Sequence, residues 1–178
     1  PHGWLRWSSR IDPRGEVELR ETERDSLLYV VAGSGTLALN GEPIELAAGT
    51  AALVLAGEEA AIAGELEVLH ATVGPDVDVH ASLGERERSV RVDRGLAEGA
   101  TGKRGFQVLF GPHNGSSRAT LFVGYVPPGR APWHYHLYDE IVYVPEGPGR
   151  LHRTGSEQPL EPGAAFRLRP REVHIVEN

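Results

Sequence analysis

Residues 129–147 read GRAPWHYHLYDEIVYVPEG and place His134, His136 and Glu140 within seven residues of one another. On an extended strand, residues two apart leave the same face, so the two imidazoles lie about 6–7 Å apart along the chain. One metal ion can take a nitrogen from each ring, and Glu140 can supply an oxygen. His174, in the segment RPREVHIVEN at 169–178, is the fourth candidate ligand. The stretch predicts a metal site of three histidines and one glutamate inside a β-barrel.

The rest of the chain indicates many short strands. Its 178 residues include 22 Gly and 13 Pro, and short apolar runs alternate with turn residues. Long helical periodicity is absent. The pattern predicts an all-β protein large enough for one large β domain or two small ones.

An internal repeat favours two units. Shifting the chain by 114 residues aligns Pro13–Gly64 with Pro127–Asn178 without a gap, with thirteen identical pairs, six of them Gly or Pro. Because these residues determine turns, the two copies share backbone geometry. The alternative is chance similarity between two β-rich segments. We expect a first unit at 1–75, a linker at 76–104 and a second unit at 105–178.

The first copy lacks every candidate ligand. At the positions of His134, His136, Glu140 and His174 it has Arg20, Thr22, Ser26 and Ala60. A fold that forms without the four ligands does not need them for packing. The predicted chemistry is therefore confined to the second copy, and the first is a structural half or holds a different ligand.

The spacing of Gly129, His134, His136, Glu140 and Gly147 resembles the first sequence motif of the cupin superfamily. The second cupin motif resembles Pro170 through His174 to Asn178, although Glu172 stands where a turn glycine is common and the interval from Pro170 to His174 is short. The resemblance implies a bicupin: two double-stranded β-helix (jelly-roll) barrels in tandem. It also implies a divalent metal bound by two histidines, a glutamate and a third histidine.

The repeat predicts one further strand. After the counterpart of His174 the first copy continues through Glu65–Val73, which reads as a closing strand, whereas the second copy ends at Asn178. An open sheet edge would be a pairing liability. We expect a closing strand in the natural protein. The absence of methionine likewise indicates that residues are missing at one end or that a modified methionine is not among the letters.

The sequence does not determine the identity of the metal. With no cysteine in the chain, the ligands must be nitrogen and oxygen. Such a set suits Mn, Fe, Co, Ni, Cu or Zn and does not choose between them.

Other residues near the motif are candidates for catalysis or substrate binding. Tyr138 is a catalytic candidate whose alternative is packing at the barrel mouth, and His152 could act as a hydrogen-bond donor or base behind the ligands. Arg167 and Arg169 share one strand face, which either meets solvent or receives an anionic substrate. No dedicated acid–base pair stands out beside the ligands.

These features predict a metalloenzyme acting on a small polar or anionic metabolite, with dioxygenase, isomerase, decarboxylase and hydrolase chemistry all open. The alternatives are a non-catalytic module that binds metal or a small ligand, and a metal-free dimerisation scaffold. A net charge of −7 argues against nucleic acid as a partner. No apolar run is long enough for a membrane span and no signal peptide is evident, so we expect a cytoplasmic protein. We expect a homodimer, with a monomer possible if the two copies satisfy each other.

Overall fold

The computed structural model describes residues 15–100 and 103–178, and most of their regular structure is β-strand. Short 3₁₀ turns occur at Arg94–Leu96 and Pro112–Asn114. In the described ranges, no helix has the length and apolarity to cross a membrane. The predicted all-β class is confirmed. The strands are β1 Glu16–Leu19, β2 Asp25–Leu39, β3 Glu42–Ala47, β4 Thr50–Val54, β5 Ala60–Val73, β6 Ser89–Arg91, β7 Glu98–Gly99, β8 Gly105–Phe110, β9 Leu121–Tyr125, β10 Glu140–Tyr143, β11 Gly149–Arg153, β12 Ser156–Leu160, β13 Ala165–Leu168 and β14 His174–Glu177.

The chain divides into two compact units. Among the described residues, the first unit comprises 15–96 and Gln107–Val123, and the second comprises 97–100, 103–106 and Gly124–Asn178. Pro13, the start of the aligned repeat, lies outside the described residues. So do the rest of the first fourteen residues and positions 101 and 102 of the expected linker.

The first unit is built on a six-stranded sheet of order β1–β5–β2–β4–β6, in which β3 also pairs with β2. The long strands β2 and β5 pair antiparallel from Asp25 with Val73 to Leu39 with Ala60. Their backbones approach each other closely at Gly35, where an added Cβ would lie 2.2 Å from the carbonyl oxygen of Ala63. Glycine is therefore required at this position.

Both faces of this sheet are covered, since every residue of β4 is buried. One face belongs to an apolar cluster that includes Leu28, Leu37 and Leu39. The other face packs Leu53 against Leu109 and other apolar side chains. A strand buried on both faces reads as a continuous apolar run, which explains the sequence of β4.

The second unit contains the pair β10–β13 and the three-stranded sheet β12–β11–β14. Its core is the apolar cluster of Leu151, Leu160, Phe166 and Leu168, with Val142 and Val176 among the partly buried residues packed against it. These side chains occupy alternate positions of their strands, so they share one face. That face also carries Glu140 and His174, because Glu140 pairs with Leu168 and His174 lies two residues before Val176.

The strand registers of the two units follow the offset of 114 residues. For several pairs of the first unit, adding 114 to both members gives a pair in the second, whereas the pair of Leu19 with Ala60 has no such equivalent. The equivalences are Ser26–Val54 with Glu140–Leu168, Gly35–Leu46 with Gly149–Leu160, Leu37–Ile62 with Leu151–Val176, and Glu16–Ala63 with Arg130–Glu177. The similarity seen in the sequence is thus a similarity of strand pairing.

The two units differ at one sheet edge. In the first unit, β5 continues past Gly64 and pairs with the first half of β2. In the second unit, β10 pairs with β13 on one side and with no described strand on the other. Within the described part of the chain, the strands do not form a closed barrel, and the closing strand expected from the sequence stays a prediction.

Candidate metal centre

Three histidines converge in the second unit. His134 and His136 lie in the segment that leads to β10, and His174 begins β14. One possible ligand atom from each ring lies within 4.8 Å of the other two. The backbones of His134 and His174 are paired, with N–O distances of 3.2 and 2.9 Å. This pairing places the two histidines directly opposite each other, so their side chains share one face.

A local irregularity produces that pairing. In the first unit, Glu16 pairs with Ala63 and Leu19 with Ala60, three steps on each strand. In the second unit, Arg130 pairs with Glu177, but His134 pairs with His174, which is four steps against three. The extra residue is the geometry of a β-bulge.

The bulge exchanges a packing residue for a ligand. Leu19 is 8% exposed in the first unit, whereas its counterpart Trp133 is 50% exposed. Trp133 thus leaves the core position, and His134 takes the place opposite His174.

Glu140 is the first residue of β10, and its Oε2 atom lies 2.7 Å from Nδ1 of His136. Both atoms are buried, and neither makes a hydrogen bond within the described structure. Buried polar atoms without partners are costly. Two donor atoms this close without a hydrogen bond suit neighbouring ligands of one metal ion, with bonds of about 2.0–2.2 Å.

Backbone carbonyls fix the tautomers of the other two histidines. Nδ1 of His134 lies 3.0 Å from the carbonyl oxygen of Pro132, and Nδ1 of His174 lies 2.8 Å from that of Glu172. A carbonyl oxygen only accepts, so each Nδ1 carries the proton and donates it. The lone pair of each ring is then on Nε2, where a metal ion can bind.

The electrostatics of His174 favour its neutral form. Burial lowers the pKa of His174, and the neighbouring rings of His134 and His136 lower it further, while the hydrogen bond to Glu172 has the opposite effect. Metal binding requires the neutral imidazole. The ring is thus in the form that can act as a ligand.

The turn before His174 connects the ligands to one another. The carboxylate of Glu172 accepts hydrogen bonds from the amide of Arg169 at 3.0 Å and from Nε of Arg153 at 2.5 Å. The hydrogen bond from Arg169 and then Arg153 lower the pKa of Glu172 in spite of its burial. The amide of Arg171 donates to the carbonyl of His136 at 2.7 Å. This turn therefore positions His174 and supports the His136 segment.

Sequence reasoning did not assign a role to Glu172 or Arg153. The signal for Glu172 was its identity with Glu58 in the repeat. Arg153 had no such signal, because its counterpart is Leu39.

Tyr138 lies beside the ligands. Its ring stacks on His136 with centroids 5.0 Å apart and an interplanar angle of 21°. Burial and then the charge of Glu140 raise the pKa of Tyr138, so its hydroxyl stays protonated at neutral pH. The side chain remains 57% exposed. A protonated phenol at the exposed side of the cluster can donate a hydrogen bond to a bound molecule.

His152 is not brought to the histidine cluster. It pairs with Ile175, whereas its neighbour Arg153 pairs with His174, so His152 points to the opposite face of the sheet. Its Nε2 lies 2.6 Å from Glu177 and its Nδ1 lies 3.1 Å from Glu157. The ring is buried between two carboxylates.

Arg167 also lies away from the cluster. It pairs with Ile141, one position from the pair of Glu140 and Leu168, and therefore faces the opposite side from Glu140. The guanidinium of Arg167 binds Asp139 through Nε at 2.8 Å and through a terminal nitrogen at 2.6 Å. Arg169 follows two residues later in the turn that contains Glu172.

The residues present fit a divalent transition metal. The clustered donor atoms belong to the three imidazoles, and a carboxylate oxygen of Glu140 lies 2.7 Å from the His136 ring. Nitrogen and oxygen donors of this kind suit several such ions. The unpaired buried atoms of His136 and Glu140 point to a cation more directly than the residue types alone.

Comparisons with known proteins agree with this architecture. A family model described as a cupin domain matches residues 121–178. No curated protein matches the chain by sequence. Among solved structures, the chain is similar to a cupin 2 conserved barrel domain protein from Leptotrichia buccalis, with 12% identity and a TM-score of 0.67, covering 99% of this chain and 84% of that one.

Two other similar structures are named for activities or regulation. Salicylate 1,2-dioxygenase from Pseudaminobacter salicylatoxidans gives 13% identity and a TM-score of 0.76 over 94% of this chain, which spans 65% of the enzyme chain. The same enzyme has also been solved as adducts with gentisate. A putative glyoxylate-induced protein from Pseudomonas aeruginosa gives 17% identity and a TM-score of 0.65, and the match covers 92% of this chain and 68% of that one. Identities this low indicate the fold alone. A cupin domain is thus identified at residues 121–178, and the solved structures show that the chain has a fold similar to theirs.

Proposed function

We propose that this protein is a metal-dependent bicupin enzyme that acts on a small polar or anionic metabolite. The observation that carries the proposal is the convergence of His134, His136 and His174 to within 4.8 Å, with a carboxylate oxygen of Glu140 that lies 2.7 Å from Nδ1 of His136 without a hydrogen bond. In this proposal the three histidines and Glu140 hold one divalent ion.

The repeat supports a bicupin with chemistry in one unit. The strand registers of the two units coincide after the offset of 114. At the ligand positions, the first unit has Arg20, Thr22, Ser26 and Ala60, which cannot form an equivalent donor set. In this proposal the first unit has a structural role, and the second unit contains the catalytic site.

Each residue of the site has a distinct role in this proposal. A bound metal supplies a Lewis acid, and with a redox-active ion it also supplies chemistry with dioxygen. His134 and His174 present Nε2 because backbone carbonyls hold their Nδ1 protons. The Glu140 carboxylate offsets part of the metal charge. The Tyr138 hydroxyl is protonated at neutral pH and donates to a polar group of the substrate.

The proposal extends to the class of reaction. The structural similarity to salicylate 1,2-dioxygenase makes oxidative cleavage of hydroxylated aromatic acids the first class to test. Isomerisation and decarboxylation of hydroxy acids and β-dicarbonyls use the same kind of donor set without consuming dioxygen.

Metal analysis followed by a turnover screen tests the proposal. Protein purified without added metal should contain close to one equivalent of a transition metal by mass spectrometry. Oxygen uptake is then measured with salicylate, gentisate and catechols, and product formation without oxygen is measured with hydroxy acids, β-dicarbonyls and sugar phosphates. The His136→Thr variant, which introduces the residue of the first unit, should lose both metal and turnover.

The outcomes separate the two main alternatives. A full equivalent of metal with no turnover on any substrate class indicates a non-catalytic binding module. Metal content below a small fraction of an equivalent, in protein that also fails to take up added Mn²⁺, Fe²⁺ or Zn²⁺, contradicts the metal centre itself.

A further inference from the structure

Four arginines line one cleft of the second unit. The cleft has a volume of about 580 Å³, and its lining residues are Arg153, Arg167, Arg169, Pro170, Arg171 and Glu172. We refer to it as the arginine cleft. None of the three clustered histidines lines it, and Arg167 faces the opposite side of its strand from Glu140's partner Leu168. The arginine cleft therefore borders the turn that positions His174 but contains none of the clustered histidines.

Two of the four positive charges are compensated. Arg153 binds Glu172, and Arg167 binds Asp139. The side chains of Arg169 and Arg171 make no hydrogen bond or ion pair with residues 15–100 or 103–178. Four cations against two carboxylates leave the cleft with two uncompensated positive charges. Because like charges held close together repel, the site favours an anion with about two negative charges.

The first unit shows that the fold does not need these arginines. Their counterparts are Leu39, Leu53, Leu55 and Gly57. Leu53 and Leu55 belong to an apolar cluster, so this face is a packing surface in the first unit. Guanidinium groups are almost never fully buried unless they are paired. The same position in the second unit is thus converted from an apolar contact into a cationic one.

Arg171 adds a backbone observation. It has a φ of 65°, in the left-handed region, and its counterpart Gly57 has a φ of 84°. An arginine is disfavoured in this conformation, whereas glycine adopts it freely. Residues held in such conformations concentrate at ligand sites. Arg171 is exposed, so its guanidinium is accessible to a partner from solution.

We propose that the arginine cleft binds the phosphate group of a small phosphate monoester. Such a group carries about −1.5 to −2 charges at pH 7 and three acceptor oxygens, which match the two uncompensated guanidiniums. Guanidinium forks bind phosphate oxygens in pairs. The volume lies within the range of about 300–1,000 Å³ typical of small-molecule sites. This inference concerns a site apart from the metal and goes beyond the proposed function.

Calorimetric titration of the metal-free protein tests the inference without depending on the metal centre. Glucose 6-phosphate and inorganic phosphate are the probes, and glucose is the uncharged control. The variants Arg169→Leu and Arg171→Gly introduce the residues of the first unit. Arg150→Leu removes the same charge from an exposed position of the second unit outside the cleft and is the matched control.

We expect saturable binding of both phosphate probes and none of glucose. Each cleft variant should weaken binding by about tenfold or more, and Arg150→Leu by less than about twofold. Circular dichroism checks the fold of each variant, and Arg169→Gln replaces any variant that does not fold. The inference is overturned if glucose 6-phosphate does not saturate the wild type up to about 10 mM. It is also overturned if the cleft variants bind like the wild type, or if Arg150→Leu weakens binding equally.

Discussion

Glu58 and Glu172 stabilise the same turn in the two units. Each carboxylate accepts a hydrogen bond from the backbone amide three residues earlier, that of Leu55 at 2.7 Å and that of Arg169 at 3.0 Å. Each is also bound by an arginine, but the two arginines come from unrelated positions in the repeat. The turn is thus a shared feature of the fold, and the candidate metal ligand His174 follows it in the second unit only.

Replacement of Glu58 by Gln should lower stability in a pH-dependent way. Burial raises the pKa of Glu58, but hydrogen bonds from Arg86, Leu55 and Asn40 and the charge of Arg86 together lower it below its usual range. A depressed pKa contributes stability above the unfolded value of about 4.3, and this stability is lost as the pH falls through the folded value. Urea unfolding should show a loss of about 1–3 kcal/mol at pH 7.

The loss should shrink as the pH falls below the unfolded pKa of about 4.3, because the unfolded chain then binds a proton that folded Glu58 resists. The neighbouring Glu59→Gln is the control, because Glu59 is exposed and such changes alter stability by about 0.5 kcal/mol or less. An equal loss at pH 7 and pH 3.5 would show that the charge of Glu58 is not responsible.

Substitution of glycine by alanine should have very different effects at Gly35 and Gly41. A Cβ at Gly35 would lie 2.2 Å from a backbone oxygen of the neighbouring strand, whereas at Gly41 it meets nothing within 4 Å. Gly41 has a φ of 84°, which costs alanine about 1–2 kcal/mol. We expect Gly35→Ala to cost more than about 3 kcal/mol or to prevent folding. Thermal unfolding of both variants measures the difference in stability. Similar melting temperatures would contradict the close approach of the β2 and β5 backbones at Gly35.

The strand pairing of the second unit could be predicted from the sequence because glycines define the turns. Gly41 and Gly155 occupy equivalent turns, Gly35 and Gly149 occupy equivalent strand positions, and the registers between them follow the offset of 114. The candidate ligands could also be predicted, since alternate residues of an extended segment share a face.

The β-bulge before His134 could not be predicted in the same way. A gapless alignment of the two copies places Trp133 opposite His174, in the role of Leu19. In the structure the pairing is shifted by one residue, and a sequence alignment of the two copies does not reveal this shift. The role of Arg153 was hidden for a similar reason, because its partner Glu172 is distant in sequence and its counterpart Leu39 is apolar.

His152→Gln should affect stability but not metal binding. His152 is buried between Glu157 and Glu177 on the sheet face opposite His174. Glutamine cannot contact both carboxylates, so urea unfolding should show a loss of about 1–2 kcal/mol. Metal affinity, measured by competition with a chelator, should change by less than about threefold, well below the 10–100-fold typical of residues that orient ligands. A larger loss of affinity would place His152 in contact with the ligands.

Removal of Glu140 should change stability in opposite directions with and without metal. Buried Oε2 of Glu140 and Nδ1 of His136 lie 2.7 Å apart without a hydrogen bond. Unsatisfied buried atoms cost about 1–3 kcal/mol, so Glu140→Ser should raise the melting temperature in EDTA. Ser26 occupies this position in the first unit, so the fold should tolerate serine.

With saturating Mn²⁺ or Zn²⁺, the wild type should have a higher melting temperature than Glu140→Ser. An ion that binds only the folded wild type stabilises it by about 2.7 kcal/mol at one hundred times its dissociation constant. His136→Thr should behave like Glu140→Ser, whereas His80→Thr, an exposed histidine outside the cluster, should respond to metal like the wild type. If metal raises the melting temperature of Glu140→Ser as much as that of the wild type, Glu140 is not a ligand. If Glu140→Ser is also no more stable than the wild type in EDTA, the unpaired contact with His136 does not destabilise the metal-free protein, and the strongest structural argument for a cation at this position is lost.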